Sequence, residues 1–449
     1  MKNRSILDTN AVLKRAGYGG MQEFPKIAKY ASTLRWDSEE VLLYEVKRIF
    51  GDPEGNQYDP HGKTAPVNMF LDIDIPVEHT ALTQMYTALR LPVAVRGAVM
   101  PDVHPGYSLP IGGVVALQDA VAPAFVGFDI GCQMCMSVIP APVDHGKFEK
   151  EKDRQDMLKI ILKNTSFGLG ADTGGKLDDP VMDNPLWDAI PFLKRNKELA
   201  KNQLGSSGGG NHFCSVGNLY DFGLSSWAIL SHSGSRGIGK RAGEYYAALA
   251  DKVTAKTWKG VPKGYGWLPM DSDEGKEYWA VMNLLIQYAS ACHELIHDRI
   301  LRATRVTGDV AQISCVHNYA SLQDGLIVHR KGAIDASKGK LGIIPGTCGT
   351  TSFVVEGLGN EDSLMSASHG AGRLFSSSEA RRRYDKEKFL GYMERMGITH
   401  YGIAANETPD AYKDIFQVIQ SERRLVTGRF IFRPKVVVMG GGKAVDDGD

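Results

Sequence analysis

Histidine set among glycines recurs along this chain and limits how it can fold. The segments are Ser-His-Gly-Ala-Gly-Arg at 368–373, Gly-Gly-Gly-Asn-His ending at His212, and Ser-His-Ser-Gly-Ser-Arg-Gly around His232. His317 lies in Val-His-Asn, a comparable setting. Glycine readily adopts the backbone angles of tight turns and is disfavoured inside regular elements. Many of the 50 glycines cluster beside these histidines or in Leu-Pro-Ile-Gly-Gly-Val (109–114), Pro-Gly-Thr-Cys-Gly-Thr (345–350) and Met-Gly-Gly-Gly-Lys (439–443). The pattern implies tight turns around something bound rather than a flexible linker. A histidine among small residues is open to a bulky substrate, and glycine lets a backbone approach a phosphate closely.

A chain of 449 residues can bury a large core, and its 43% apolar and 23% charged content is that of a soluble globular protein. The balance of 52 basic and 52 acidic residues provides no global attraction to nucleic acid, so an RNA partner needs a local patch. No apolar run reaches membrane-spanning length and Met1–Ser5 is not followed by a signal core, so the expectation is a cytoplasmic protein. Six cysteines at this length do not form a disulfide framework; a thiolate ligand at Cys132 suits a reducing compartment better.

Periodicity predicts a helix over 38–49, a strand over 93–100, a charged amphipathic helix over 147–163, a short strand over 227–231 and a long helix over 276–304. Ala124–Phe128 reads as an apolar strand, putting Asp129 and Cys132 just after it. A strand over 310–316 delivers His317, and 364–373 is a loop followed by one charged helix over 378–396. The expected architecture is α+β: an N-terminal segment of residues 1–70, then one compact catalytic domain over 71–449.

Carboxylate, thiolate and imidazole in Asp129, Cys132, His212, His232 and His317 make a ligand set for a borderline ion such as manganese, zinc or iron. More than four mixed ligands point to two ions, which suits phosphoryl transfer. Pro345–Thr350 with Ser352 reads as a phosphate cradle of backbone N–H groups and hydroxyls. Arg236 and Arg373, each four positions after a histidine, are candidate phosphate contacts or simple ion pairs. His293-Glu294-Leu295-Ile296-His297 is formally the HExxH pattern of zinc peptidases on a helix; the structural alternative is a pair of core histidines.

From about residue 75 onward, the ordered strings of this chain resemble the RtcB-type RNA ligases. The strings are Met100-Pro-Asp-Val-His-Pro-Gly-Tyr-Ser-Leu-Pro-Ile-Gly-Gly-Val, Asp129-Ile-Gly-Cys132, Gly-Gly-Gly-Asn211-His212-Phe213 and His232-Ser-Gly-Ser-Arg-Gly. His317-Asn318, His329-Arg-Lys-Gly-Ala, Pro345-Gly, His369-Gly-Ala-Gly-Arg and Glu407-Thr-Pro-Asp-Ala-Tyr-Lys continue the order. The resemblance implies mixed and antiparallel sheets around a central dinuclear metal cleft. It implies a manganese- and GTP-dependent enzyme joining an RNA 3′-phosphate or 2′,3′-cyclic phosphate to a 5′-hydroxyl, in RNA repair or tRNA splicing. His369 would be the nucleophile that becomes a histidine–GMP adduct. Asp129, Cys132, His212, His232 and His317 would hold two Mn²⁺ ions, a set that also admits Zn²⁺. The nucleotide would be lined by Asn211, His212, Phe213, Ser215, His317, Asn318, Pro345, Gly346, Thr347, Cys348 and Ser352. His369, Gly370, Ala371, Gly372, Tyr412 and Lys443 would complete that lining, with Arg236 and Arg373 on RNA phosphates. RNA ends such as tRNA halves and an archease-like activator are the implied partners.

The chain departs from the family pattern in several places. The glutamate that follows the Asn-His pair, four residues after the asparagine, is Ser215 here, and the Ser-Met of the phosphate loop is Thr347-Cys348. An arginine after His-Gly-Ala-Gly-Arg is Ser377, the near-terminal lysine aligns with Met439 beside Lys443, and Gln133 and Cys135 replace small residues. A metal-dependent phosphoesterase acting on cyclic phosphates without nucleotidyl transfer is the alternative reading, followed by a non-catalytic RNA-end binder and then the HExxH peptidase.

Overall fold

Side chains alternate across a strand, so a strand covered on both faces must be apolar on both. Strands Gln133–Ile139 and Ser225–Ser233 show this: Met134, Met136, Ala228 and Leu230 enter one core, and Ile139, Trp227 and Ile229 enter another. The computed structural model describes residues 6–21, 23–36, 38–51, 56–139, 148–168, 170–220, 225–306 and 309–440.

These strands belong to an eight-stranded sheet. Its order is Ala311–Val316, Gln133–Ile139, Ser225–Ser233, Phe213–Tyr220, Val426–Met439, Ser352–Gly357 and Leu341–Ile344, with Thr399–Tyr401 also beside Val426–Met439. Its pairs are antiparallel except the last, which is parallel. A five-stranded sheet runs Asn318–Gln323, Leu326–Lys331, Ile111–Leu117, Ala94–His104 and Val67–Met69. Ala98, Met100, Val114, Ala116 and Val328 from the smaller sheet share one core with Met134, Leu230, Val354 and Phe432 from the larger. The two sheets therefore face each other, with helices on the outer sides. Helix His79–Leu89 packs Met85 and Leu89 against Val99 and Val115, while helices Glu151–Asn164 and Asp273–Ala303 bring Ile161, Ile296 and Ile300 to Val216 and Ile229.

Helix Asp273–Ala303 is the long helix expected from periodicity, and Ser272 starts it by accepting a hydrogen bond from the Gly275 N–H at 3.0 Å. Ser38 likewise caps helix Glu39–Phe50, which packs with helices Ile6–Arg15 and Phe24–Thr33 around Leu13, Ile27, Leu42 and Val46. The α+β expectation with mixed and antiparallel sheets matches this architecture.

Three local expectations need correction. Ala124–Phe128 is not a strand: Pro123 opens a one-turn helix, Pro123–Val126, where its fixed φ and missing N–H suit the first helical position. Asp129 and Cys132 thus sit in the turn before strand Gln133–Ile139 rather than after a strand. The charged helix over 378–396 is two helices, Ser377–Arg383 and Lys386–Arg395, because the Asp385 carboxylate accepts from the N–H groups of Glu387 and Lys388 and starts a new one. Within 364–373, Ser366–Ser368 pairs as a strand with Ala333–Asp335, and this strand leads directly into His369. Among the described residues, no helix is long and apolar enough to cross a membrane.

Candidate active site

Four polypeptide segments converge at one end of the core between the sheets. Asp129 and Cys132 come from the turn before Gln133–Ile139, His212 from the turn before Phe213–Tyr220, His232 from the penultimate position of Ser225–Ser233, and His317 from the junction after Ala311–Val316. The Asp129 Oδ2 lies 2.9 Å from His212 Nε2, and the Cys132 Sγ lies 3.4 Å from His212 Nε2 and 3.1 Å from His232 Nε2. His232 Nε2 is in turn 3.3 Å from His317 Nε2. The atoms form two triads, Asp129–Cys132–His212 and Cys132–His232–His317, that share the thiol. Donor atoms bound about 2.0–2.3 Å from one ion sit about 3–4 Å apart, so these spacings fit coordination shells.

Neighbouring carbonyls settle the imidazole tautomers. A carbonyl only accepts, so His212 Nδ1–H donates to Ser207 O at 3.1 Å and His232 Nδ1–H donates to Asn211 O at 3.4 Å. Both Nε2 lone pairs are then turned toward Cys132, the arrangement by which histidine ligands are oriented. The Arg236 guanidinium, 3.1 Å from His212 Nδ1, is consequently a charge beside that ring rather than its hydrogen-bond donor. Burial and the adjoining imidazoles push His232 and His317 well below the ordinary histidine range, leaving them neutral. Burial alone would raise Asp129, but His212 and Arg236 overcome it and hold the carboxyl at about 2. His317 Nδ1 is buried with no hydrogen-bond partner. Gly234 is required here, because a Cβ would collide with the Asp129 carboxylate.

The ring of His369 packs 5.1 Å from that of His317, next to this cluster. Its Nδ1–H donates to Asp102 Oδ2 at 2.7 Å, and its backbone N–H donates to the same oxygen at 3.0 Å. Asp102 is fully buried in strand Ala94–His104. Burial would raise its carboxyl, yet the bond and charge of His369 keep it below the ordinary range. Lys413 Nζ donates to the carbonyls of Pro101 and Val103 on either side of it, at 2.9 and 2.6 Å. Gly372, at φ +73°, lies so close to Asp102 that a Cβ would strike its backbone. The result is an imidazole fixed through Nδ1, with Nε2 as its remaining ring nitrogen.

A cleft enclosing about 1070 Å³, open solvent at its mouth included, joins these groups. Asp129, Cys132, His232, His317 and His369 line it, together with Asn211, Phe213, Asn318, the Pro345–Cys348 loop, Gly370–Arg373 and Tyr412. Ser215 and Ser352 are buried behind the wall. Ser215 faces the inter-sheet side with Phe213, its hydroxyl unpartnered, while Ser352 Oγ accepts from the Gly346 N–H at 3.3 Å. The loop Pro345–Thr350 spends two of its own donors: the N–H groups of Thr347 and Gly349 go to the hydroxyls of Thr350 and Thr347. Asn318 holds the fold, donating to Asp129 O and accepting from the Gly332 N–H. Arg236 sits behind His212, bonded to Ser206, rather than on the cleft wall. Arg373 pairs with Glu407 at 2.8 Å and lies over the Tyr412 ring, whose hydroxyl donates to Glu407 at 2.6 Å. Lys443 lies outside the described residues.

Asp102, His104, Lys331, Glu407 and Met439 border the same site, although sequence reasoning gave none of them a role. A carboxylate inside the apolar run Ala98–Val103 was the available signal for Asp102. Of the two readings of the HExxH segment, the structure supports the pair of core histidines. His293 and His297 are 1% exposed and face the larger sheet, whereas Glu294 is exposed, and His317 belongs to the cleft.

The family model for tRNA-splicing ligase RtcB matches residues 84–190 and 188–440. The RNA-splicing ligase RtcB of Escherichia coli K12 is 30% identical over 407 residues, covering 84% of this chain and 98% of that protein. The tRNA-splicing ligase RtcB of Nanoarchaeum equitans is 30% identical over 450 residues, covering 81% of this chain and 92% of the relative. The RNA-splicing ligase RtcB of Mycobacterium tuberculosis is 28% identical over 422 residues, with 78% and 98% covered.

Proposed function

The chain belongs to the RtcB family, and from that premise we propose that it is a GTP- and manganese-dependent RNA ligase joining 3′-phosphate or 2′,3′-cyclic phosphate ends to 5′-hydroxyl ends. The observation that carries this reading is His369, oriented through Nδ1 by a buried carboxylate and packed beside five converging metal-type donors. Residues 71–449 form the catalytic unit in this reading. Residues 1–70 are the N-terminal segment in this reading; its first three helices have an apolar cluster of their own, whereas strands Asn56–Gln57 and Val67–Met69 pair with strands of the catalytic unit.

Asp129, Cys132 and His212 would hold one cation, and Cys132, His232 and His317 the second, with the thiolate common to both. Two such cations supply charge neutralisation on the triphosphate and alignment for in-line displacement. His369 Nε2 attacks the α-phosphorus of GTP; the N–P bond forms as pyrophosphate leaves. Asp102 keeps the Nδ1 proton in place and offsets the positive charge that develops on the ring. An oxygen of the RNA 3′-phosphate then attacks the same phosphorus and displaces the imidazole. The RNA 5′-hydroxyl attacks the activated 3′-phosphate, GMP leaves, and a phosphodiester is formed. A cyclic phosphate end first takes up water to open to the 3′-phosphate.

The test is intact mass after incubation with Mn²⁺ and each nucleoside triphosphate separately, beside His369→Ala. A GMP-sized increment from GTP that the variant lacks is the expected result. An adduct from another nucleotide would mean that Ser215 in place of the family's glutamate has changed base choice. No adduct with confirmed metal occupancy would overturn the ligase and favour the phosphoesterase. That second reading draws on the Pro345–Thr350 loop, where the Thr347 and Gly349 N–H groups are spent internally, and on Arg373, already paired with Glu407.

A further inference from the structure

The face of the larger sheet opposite the cleft carries its own set of donors. Strand alternation sends Cys135 and Ser137 of Gln133–Ile139, and Ser231 and Ser233 of Ser225–Ser233, toward helix Asp273–Ala303. His293 and His297, one helical turn apart, meet them there. Cys135, His293 and His297 are 2%, 1% and 1% exposed, and one donor atom from each falls within 4.8 Å of the other two. These residues do not line the cleft.

Each ring uses its outer nitrogen on an oxygen of the sheet. His293 Nε2 lies 3.2 Å from Ser233 O, which can only accept, so that nitrogen carries the proton and Nδ1 presents a lone pair. His297 Nδ1 lies 2.7 Å from Ser137 Oγ. The inner atoms, His293 Nδ1 and His297 Nε2, converge on Ser231 Oγ at 2.6 and 2.7 Å. When His297 donates through Nδ1, two lone pairs face a single hydroxyl proton, and one lone pair goes unsatisfied in a dry interior. A metal-free alternative exists in which His297 Nε2–H donates to Ser231 and Ser231 donates to His293. The Cys135 thiol, which meets the Gln312 side chain, lies outside that chain. A cation accepts both imidazoles and the thiolate together, and outer nitrogens bonded to oxygens of the protein are what orient histidine ligands.

We propose that Cys135, His293 and His297, completed by Ser231 Oγ, form a closed structural zinc site in the core behind the cleft. One thiolate and two imidazoles match a small, borderline-soft, four-coordinate ion, and the absence of an open position suits structure rather than catalysis. Burial pushes the Cys135 thiol up to about 12, so without a cation it stays protonated and inert. With zinc, the site would pin the long helix to strand Ser225–Ser233, whose opposite face carries His232. Cys132-Gln133-Met134-Cys135 would then serve two metal centres, one on each side of the sheet.

The test begins with a Cys132→Ala/His317→Ala protein, in which both cleft triads are broken. After expression with zinc and dialysis against EDTA, about one zinc ion per chain should remain by elemental analysis. Exchange into Co²⁺ during refolding should give a thiolate-to-cobalt charge-transfer band, and adding Cys135→Ser should remove both ion and band. His297→Gln, added instead, should weaken retention at least tenfold, and decides the matter where the serine variant fails to fold. A folded double variant with no ion above background and no cobalt–thiolate band would overturn the proposal and leave the hydrogen-bond chain in its place. Either result is independent of the ligase reading, because the cleft is disabled throughout.

Discussion

Replacing Asp102 by asparagine isolates the charge that orients His369. In the native arrangement one carboxylate oxygen accepts both the His369 backbone N–H, at 3.0 Å, and Nδ1–H, at 2.7 Å. The side chain is fully buried, so water does not substitute for it. An asparagine carbonyl in the same place keeps both contacts but turns charge-assisted bonds into neutral ones. Bonds to a charged group contribute about 1.5–3 kcal/mol and neutral ones about 0.5–1.5, so the Nδ1 bond loses about 1–2 kcal/mol when the ring becomes cationic. That corresponds to a fall of about 5–30-fold in the single-turnover rate of nucleotide adduct formation. Asp102→Ala should be slower again by about tenfold, because both N–H groups lose their acceptor. The assay is intact mass against time at saturating GTP and Mn²⁺, with far-ultraviolet circular dichroism and metal content measured on each variant. Folded, metal-loaded Asp102→Asn and Asp102→Ala proteins that react within about twofold of the parent would refute the orienting role.

Cys132→Ala should lower occupancy of both cleft sites, since both triads include that thiol; elemental analysis should find a larger loss than for His317→Ala, which touches one triad. Glu422 is buried with its carboxyl raised by burial and by Asp102 to about 8, against an ordinary 4.5. Its native form is protonated, so its stabilising contribution is complete below about pH 4.5 and is lost as pH rises through about 8. Glu422→Gln should therefore become more stable relative to the parent between pH 5 and 8, by on the order of 2–5 kcal/mol in denaturant titrations, and an unchanged difference would contradict this. Glu294→Gln should leave adduct formation by intact mass within about twofold of the parent, because the exposed side chain lies outside the cleft.

Residue chemistry made the cleft donors legible before any fold was known. Thiol, carboxylate and imidazole beside glycine made five positions stand out, and the structure brings them into two triads that share Cys132. Asp102 was not legible in the same way. Its partner is 267 residues distant, and its role exists only once strand Ala94–His104 crosses the turn after Ser366–Ser368. The resemblance assigns Asn318 to the nucleotide, and its place four positions after His369 makes Arg373 a candidate phosphate contact or an ion pair. Their partners Gly332, Asp129 and Glu407 come from other turns and show that these side chains also hold the walls together. At the level of elements, the 31-residue helix Asp273–Ala303 announced itself through a sustained period. Five apolar residues at 124–128 could not, since so short a run fits helix or strand equally. The deciding signal was local, namely Pro123 at a first helical position.

The HExxH segment admitted two readings for a more general reason. Helical periodicity establishes that His293 and His297 share a face, but it carries no information about which face of which sheet that surface will meet. The sheet decides through its own period of two. Ser231 and Ser233 turn toward the helix while His232, between them, turns toward the cleft, and the same alternation separates Cys135 from Met134. A shift of one residue in strand register would exchange the two sets, withdrawing His232 from Cys132 and placing it against the helix. The position of His232 therefore depends on contacts made on the opposite side of the strand, where the Ser231 hydroxyl meets His293 and His297 and the Ser233 carbonyl accepts from His293. On this argument the histidines of the helix secure the geometry of a cleft that they never touch.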